Sequence, residues 1–138
     1  AVLSRMMPDR PVWAYSNDDM HHSETLGRNW NLMVLPELTE EWVRKGMQQG
    51  RSFYIYSPTG HNGPELPQVQ EVKINNRKGL IEINATGYDS IRWISDGEVV
   101  HRGGQLLLKD RHGIKKYVRA EIFGPGNSII GTQPFGIR

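Results

Sequence analysis

The stretch Tyr117-Val118-Arg119-Ala120-Glu121-Ile122-Phe123 alternates between small or branched apolar side chains and larger, partly charged ones. Neighbouring residues of an extended strand point to opposite sides, so one side of this strand carries Val118, Ala120 and Ile122. The other side carries Tyr117, Arg119, Glu121 and Phe123. The pattern predicts a long strand with one buried apolar face, in the part of the chain that decides the fold class.

Further short strands flank this one and are separated by turns rich in Gly, Asn and Asp. Asp96-Gly97 lies between two of them and is a strong hairpin signal, because both residues tolerate positive φ. About seven short strands with regular turns are typical of a small antiparallel β-sandwich. A break rich in Pro, Gly and Asn at residues 57–64 precedes this region and disfavours helix and central strand. We therefore predict a β-sandwich domain over residues 64–138.

Residues 12–60 have a different sequence pattern, in which short apolar runs alternate with a helical segment. The helix is the clearest local prediction, because Thr39 is a good N-cap, Glu40 and Glu41 follow in the first turn, and Gly50 ends it. Strands are predicted near residues 12–15, 31–35 and 52–56, and this β-loop-β-α-β order is typical of α/β proteins. The predicted fold class is therefore α+β, with a short α/β segment over residues 1–63 followed by a small antiparallel β-sandwich.

The composition narrows the possible partners and ligands. The chain of 138 residues has a formal net charge of +2, so no nucleic-acid partner is expected, because a broad basic surface is lacking. No window approaches the roughly 18 apolar residues of a membrane-spanning helix, so no membrane partner is expected either. The sequence has no Cys, which excludes thiolate zinc sites and a Cys nucleophile. Any bound metal ion must therefore be held by nitrogen and oxygen ligands.

The stretch Ser16-Asn17-Asp18-Asp19-Met20-His21-His22 places two carboxylates and two imidazoles in consecutive positions, interrupted only by Met20. In an extended segment, Asp19 and His21 face the same side, so their side chains can converge on one cation. A carboxylate with an imidazole suits zinc, manganese or iron, although a catalytic zinc ion generally needs three protein ligands. The alternative interpretation is an Asx-rich turn whose carboxylates cap nearby backbone N–H groups.

Four segments of the first half resemble the C-terminal part of the PHP family of metal-dependent phosphoesterases, namely residues 14–21, 27–31, 38–41 and 50–54. In that family, a late motif of the form (Ser or Asp)-Asp-x-His contributes an Asp and a His to a metal cluster. The matching residues here are Asp19 and His21, and Asp18 occupies the variable position before the ligand Asp. The resemblance implies that residues 1–63 are the C-terminal end of a PHP-like α/β barrel. The tail at residues 117–121 and 134–137 is similar to the β-sandwich extension of some bacterial members.

The resemblance also implies an activity, the hydrolysis of a phosphate ester by a longer protein that uses divalent zinc, manganese or iron ions. The family's other ligands, including a His-x-His motif, have no counterpart in this sequence. The expected partner is therefore the remainder of the barrel, and the chain alone is expected to bind metal weakly and to be inactive. Asp18 or His22 would orient the ligands or relay protons. Arg28 either binds a phosphate or is a solvated or ion-paired arginine.

An alternative function is a non-catalytic β-sandwich module that binds carbohydrate or protein. The four Trp residues suggest a sugar-stacking surface, but most of them fall in predicted strands or on the buried side of the helix, which favours core packing. The end of a barrel also exposes apolar strand edges and one helix face. We therefore expect the first half either to pack onto the sandwich or to form a homo-oligomer.

Overall fold

The computed structural model describes residues 12–110 and 113–137 of the chain. Strands and turns make up most of these residues, and they include one α-helix. No helix within these two ranges is long and apolar enough to cross a membrane. The helix and strands, in chain order, are β1 (Asn29–Met33), α1 (Glu40–Gln49), β2 (Ser52–Tyr56), β3 (Gln68–Asn75), β4 (Leu80–Thr86), β5 (Ser90–Ser95), β6 (Glu98–Arg102), β7 (Gln105–Leu107), β8 (Tyr117–Gly124), β9 (Ser128–Thr132) and β10 (Phe135–Gly136).

The strands form two antiparallel sheets. The larger has the order β1-β2-β9-β8-β5-β6, with β10 paired to β8, and the smaller has the order β3-β4-β7. Both sheets contribute to one apolar core, since Ile81, Ile83 and Leu106 of the smaller sheet cluster with buried residues of the larger one. The larger sheet supplies Ile55, Ile91, Trp93, Val118, Ala120, Ile122 and Ile130 to this core. Burial of these side chains between the sheets stabilises the fold.

The predicted fold class is wrong, because the described part of the first half is neither an α/β segment nor the end of an α/β barrel. β1 and β2 are antiparallel, with Trp30 opposite Ile55. β2 then pairs with β9, with Tyr54 opposite Gly131. The ladder between β2 and β9 places strands from both sides of residue 63 in one sheet.

The connection between β1 and β2 explains why a helix here does not produce a parallel pair. Gly50 adopts φ 64° at the C-cap of α1, so the chain turns back at the end of the helix. The Arg51 N–H donates to the Gly46 carbonyl, and the Val34 N–H donates to the Arg51 carbonyl at 2.9 Å. The helix is therefore an insertion in a long hairpin connection and does not carry the chain across the sheet.

The predicted helix is confirmed together with both of its ends. The Thr39 hydroxyl accepts a hydrogen bond from the Trp42 N–H at 3.3 Å, as expected of an N-cap. The Gly50 N–H donates to the carbonyls of Gly46 and Met47. Gly46 is buried, and a Cβ atom added to it would lie 2.6 Å from Leu35 Cδ2. The absence of a side chain at Gly46 therefore permits α1 to pack closely on the end of β1.

The alternation predicted for residues 117–123 is confirmed in β8. Val118, Ala120 and Ile122 are 0% exposed and lie in the core. β8 pairs with β5 and β9 over most of its length and with β10 at its beginning, which places it inside the larger sheet. The inward side chains of β8 are removed from water because residues of the smaller sheet pack against them.

The opposite face of the larger sheet carries a row of polar side chains. Cross-strand pairing aligns Tyr54, Gly131, Glu121 and Arg92 on β2, β9, β8 and β5. Glu121 accepts a hydrogen bond from Arg92 Nε at 2.8 Å and forms an ion pair with Arg119. Arg119 Nη1 also donates to the Tyr54 hydroxyl at 2.7 Å. These charge-assisted bonds join side chains of β2, β8 and β5, and they pass over Gly131 of β9.

The charges in this row change the protonation of its members. Burial alone raises the pKa of the Glu121 carboxyl, but hydrogen bonds and positive charge from Arg119 and Arg92 outweigh it and hold the pKa below its ordinary value of 4.5. Burial raises the pKa of the Tyr54 hydroxyl above its ordinary value of 10.0. At neutral pH the row therefore contains a carboxylate, two guanidinium groups and a neutral phenol.

Gly131 provides the first test of this packing, because a Cβ atom there would lie 1.8 Å from Tyr54 Cζ. We expect Gly131→Ala to lower the free energy of unfolding by about 1–3 kcal/mol, the usual cost of overpacking, measured by urea denaturation. The same substitution in a Tyr54→Ala background should cost less, since the clashing ring is gone. Gly136→Ala is the matched control, because nothing lies within 4 Å of a Cβ at that position. Equal costs in the two backgrounds would contradict this account.

Glu121→Gln tests the polar row. Removal of one partner from a buried ion pair costs about 3–5 kcal/mol, and we expect about 2–3 kcal/mol here because both arginines are partly exposed. Because the folded-state pKa of Glu121 is lowered, its contribution is complete above the unfolded-state value near 4.5 and is lost as the pH falls through the folded-state value. The stability difference between wild type and variant should therefore be constant above about pH 4.5 and shrink as the pH falls below that value. Glu98→Gln, at an exposed position of β6, is the control. A difference that is independent of pH would refute the role of the charge.

Candidate metal site

Two loops lie at the same end of the larger sheet, because β1 begins where β2 ends, with Asn29 opposite Tyr56. Residues 16–28, which we call the acidic loop, precede β1, and residues 57–63 follow β2. The Ser57 N–H donates to the Arg28 carbonyl at 2.8 Å. A Cβ atom added to Gly60 would lie 3.1 Å from the Gly27 carbonyl oxygen. The two loops are therefore in direct contact.

The predicted strand at residues 12–15 is not a strand in the structure. Side-chain amides hold this segment in place of a backbone ladder. Asn31 accepts from the Ser16 N–H and donates to the Ser16 carbonyl, both at 2.9 Å. Gln133 makes the same pair of bonds to Ala14, both at 2.7 Å. Each amide supplies one donor and one acceptor, so it substitutes for a neighbouring strand.

Two aromatic side chains attach the same segment to the end of α1. Trp13 Nε1 donates to the Gln48 carbonyl at 3.0 Å, and the Tyr15 hydroxyl donates to the Met47 carbonyl at 2.9 Å. The last carbonyls of a helix have no partner within the helix, so these bonds satisfy two of them. The segment that leads into the acidic loop is therefore fixed to the helix as well as to the sheet.

Asp18 organises the acidic loop. Its carboxylate accepts hydrogen bonds from three consecutive backbone N–H groups, those of Gly27, Arg28 and Asn29. The bond from Gly27 is the largest influence on the pKa of Asp18, and together with the bonds from Asn29 and Arg28 it outweighs desolvation and lowers this pKa below 3.8. Asp18 therefore caps backbone N–H groups, as the alternative interpretation of the motif predicted for its carboxylates.

Asp19 and His21 are both exposed. Asp19 adopts φ 45°, so the chain turns at this residue and is not extended as the sequence pattern implied. His21 Nδ1 lies 2.7 Å from the Asp19 carbonyl oxygen. A carbonyl accepts hydrogen bonds only, so Nδ1 carries a proton, and the lone pair of the neutral ring is then on Nε2. Neither Nε2 of His21 nor the carboxylate of Asp19 is hydrogen bonded to another described residue.

The donor types of Asp19 and His21 suit zinc, manganese or iron, but the number of donors is small. Within residues 12–110 and 113–137, no group of three or more His, Cys, Asp or Glu side chains lies together in a way that could hold a metal ion. His101 lies in β6, and His112 lies outside the described residues. The described part of the chain therefore offers at most two protein ligands at this place.

Three side chains that sequence reasoning did not connect with the site are important to it. Asn31 and Gln133 position the acidic loop, and only the alternation of Asn29 and Asn31 in β1 hinted at a polar strand face. His61 stacks on Trp30 with ring centroids 4.8 Å apart and lies against Gly27. Arg28, for which a phosphate contact was considered, forms no side-chain hydrogen bond or ion pair with another described residue.

Comparison of the chain with protein-family models gives no match, and comparisons with curated proteins and with solved structures give none either. The resemblance to PHP phosphoesterases therefore depends on the motif residues themselves.

Asp18→Asn tests how the acidic loop is held. Loss of the charge weakens three hydrogen bonds at once, so we expect faster amide hydrogen exchange at Gly27, Arg28 and Asn29. In the wild type, the lowered pKa means that protection is complete above the ordinary value near 3.8 and is lost as the pH falls through the folded-state value. Asp19→Asn is the matched control and should leave these three amides unchanged. Equal effects of the two variants would contradict a special role for Asp18.

Proposed function

We propose that the chain supplies part of the metal site of a PHP-type phosphoesterase, with Asp19 and His21 as two ligands of a divalent zinc, manganese or iron ion. The observation that carries the proposal is the hydrogen bond from His21 Nδ1 to the Asp19 carbonyl. Metal-binding histidines commonly donate one ring N–H to a carbonyl or carboxylate, which orients the ring and directs the other nitrogen to the metal. The exposed Asp19 carboxylate stands two residues away and has no other described partner.

The two carboxylates of the motif have separate roles in this proposal. Asp18 is occupied by three backbone N–H groups and holds the loop, so it is a positioning residue and not a ligand. Asp19 projects from the turn that Asp18 stabilises. The divalent ion, when bound, supplies hydroxide near neutral pH and offsets charge on the phosphoryl oxygens. Arg28, whose main-chain N–H donates to Asp18, would add a planar guanidinium for a phosphate.

Two ligands do not complete a catalytic site, so the proposal includes a partner. In this proposal the remaining ligands come from polypeptide outside the described residues. The chain alone would hold an ion with only Asp19 and His21, so we expect weak affinity.

A non-catalytic module for carbohydrate or protein binding is the second candidate. The observation that favours it is the exposure of apolar side chains on and beside the edge strand β1, with Leu32 51% and Val34 57% exposed. Exposed apolar residues at a sheet edge are typical of surfaces that contact another molecule. This candidate requires no metal ion, so a metal titration separates the two.

Paramagnetic Mn²⁺ tests the proposal directly with this chain. We expect Mn²⁺ to broaden the amide NMR signals of residues 18–22 first, because the ion binds between Asp19 and His21. Asp19→Asn or His21→Gln should weaken this binding by about tenfold or more, since loss of even an outer-shell group costs about 10–100-fold in metal affinity.

His101→Gln is the matched control, because it removes an imidazole from β6 and leaves the acidic loop intact. It should not change the broadening. Uniform broadening across the surface, or localised broadening that survives both loop substitutions, would exclude Asp19 and His21 as ligands.

A further inference from the structure

An apolar groove lies beside the acidic loop. It has a volume of about 510 Å³ and runs between one face of β1 and β2 and residues 60–69, which comprise the connection to β3 and its first two residues. Its floor is formed by Trp30, Leu32, Phe53 and Ile55. A volume of this size falls in the range of small-molecule sites.

The smaller sheet leaves this part of the larger sheet partly open to solvent. Leu32 remains 51% exposed although it shares the groove with the buried Ile55. Charged side chains are few, and Glu65 at the rim is hydrogen bonded to Gln68 at 3.0 Å. The groove therefore favours an uncharged, apolar group over a sugar or an ion.

His61 connects the groove with the acidic loop. The ring stacks on Trp30 at 4.8 Å, with an angle of 31° between the planes. A Cβ atom added to Gly27 would lie 3.1 Å from His61 Cδ2, and the Gly27 N–H is bound by Asp18. His61 forms no hydrogen bond with another described residue, so both ring nitrogens are available to a ligand.

We propose that this groove binds the organic part of the phosphate ester, that this part is a flat apolar group such as an aryl ring, and that His61 donates a hydrogen bond to the phosphate. The proposal rests on the proposed function of the acidic loop and names the substrate class for it. The phosphate lies toward Asp19 and His21, and the aryl group lies on Leu32, Phe53 and Ile55. His61 lies at the junction, because its side chain contacts both Trp30 of the groove and Gly27 of the acidic loop.

The experiment uses this chain and three probes, namely phenyl phosphate, phenol and inorganic phosphate, followed by NMR. Phenyl phosphate and phenol should shift the indole signal of Trp30 and the methyl signals of Ile55. Phenyl phosphate should bind at least about tenfold more tightly than inorganic phosphate, because even one methylene in an apolar pocket is worth roughly tenfold or more. Shifts elsewhere, or equal affinities for phenyl phosphate and inorganic phosphate, would overturn the proposal.

Two variants separate the parts of the groove. Leu32→Asp should lower the affinity for phenyl phosphate and for phenol by about tenfold or more. Val99→Asp, at a similarly exposed apolar position of β6, should leave both affinities unchanged. His61→Gln should weaken the binding of phenyl phosphate more than the binding of phenol, because only phenyl phosphate loses a hydrogen bond. Unchanged signals of β8 and β9 report that each variant is folded. Equal effects of Leu32→Asp and Val99→Asp would refute the groove as the binding site.

The failure of this inference is distinguishable from the failure of the proposed function. Localised Mn²⁺ broadening without aryl binding would refute the groove as an aryl site and would still support Asp19 and His21 as metal ligands. Aryl binding at Trp30 without localised Mn²⁺ broadening would support the groove as an aryl site and exclude the phosphoesterase assignment, and with it the phosphate contact of His61.

Discussion

The ladder between β2 and β9 is the constraint on which the rest of the structure depends. It joins the first half of the chain to the strands of the second half, with Tyr54 opposite Gly131. The ring of Tyr54 occupies the space that a side chain at position 131 would need. Its hydroxyl accepts a hydrogen bond from Arg119 Nη1. The ring that lies over Gly131 therefore also completes the polar row, which crosses β2, β9, β8 and β5. Without this ladder, β1 and β2 would lose their main-chain hydrogen bonds to the rest of the larger sheet.

Side-chain amides and carboxylates extend this order to a segment that has no regular structure. Asn31 and Gln133 bind the main chain of Ser16 and Ala14 as a neighbouring strand would. Asp18 then binds three N–H groups at the start of β1. Each of these side chains satisfies main-chain donors or acceptors. The irregular segment is therefore held in place with few unpaired polar groups. The exposed Asp19 and His21 are therefore presented by a well-anchored turn.

This anchoring gives the proposed chemistry a physical basis. A ligand binds metal most effectively when its orientation is set before the ion arrives. In this chain, Asp18 and the main chain set the turn, and the carbonyl of Asp19 orients the ring of His21. The groove at Trp30 adjoins the same turn through His61 and Gly27. A charged site and an apolar site in contact are suited to a ligand that has both characters, such as an organic phosphate.

The sequence by itself determined the local structure whose causes are local. The cap at Thr39, the reversal at Gly50, the Asp96-Gly97 turn and the alternation of β8 were predictable, because each depends on the conformational preference or period of a few neighbouring residues. The sequence also singled out Asp19 and His21 as possible ligands, but it implied an extended segment where the chain in fact turns at Asp19.

Only the tertiary structure decided how these elements combine. Alternation and helix signals are the same whether β1 and β2 run parallel in a barrel or antiparallel in a sheet, so the predicted α/β segment was wrong. The direction of β2 depends on its pairing with β9, more than 70 residues later in the chain. The contacts of Gln133 with Ala14 and of His61 with Trp30 and Gly27 are likewise made between distant segments. Such contacts arise from packing and register between elements, and a local pattern contains no information about either.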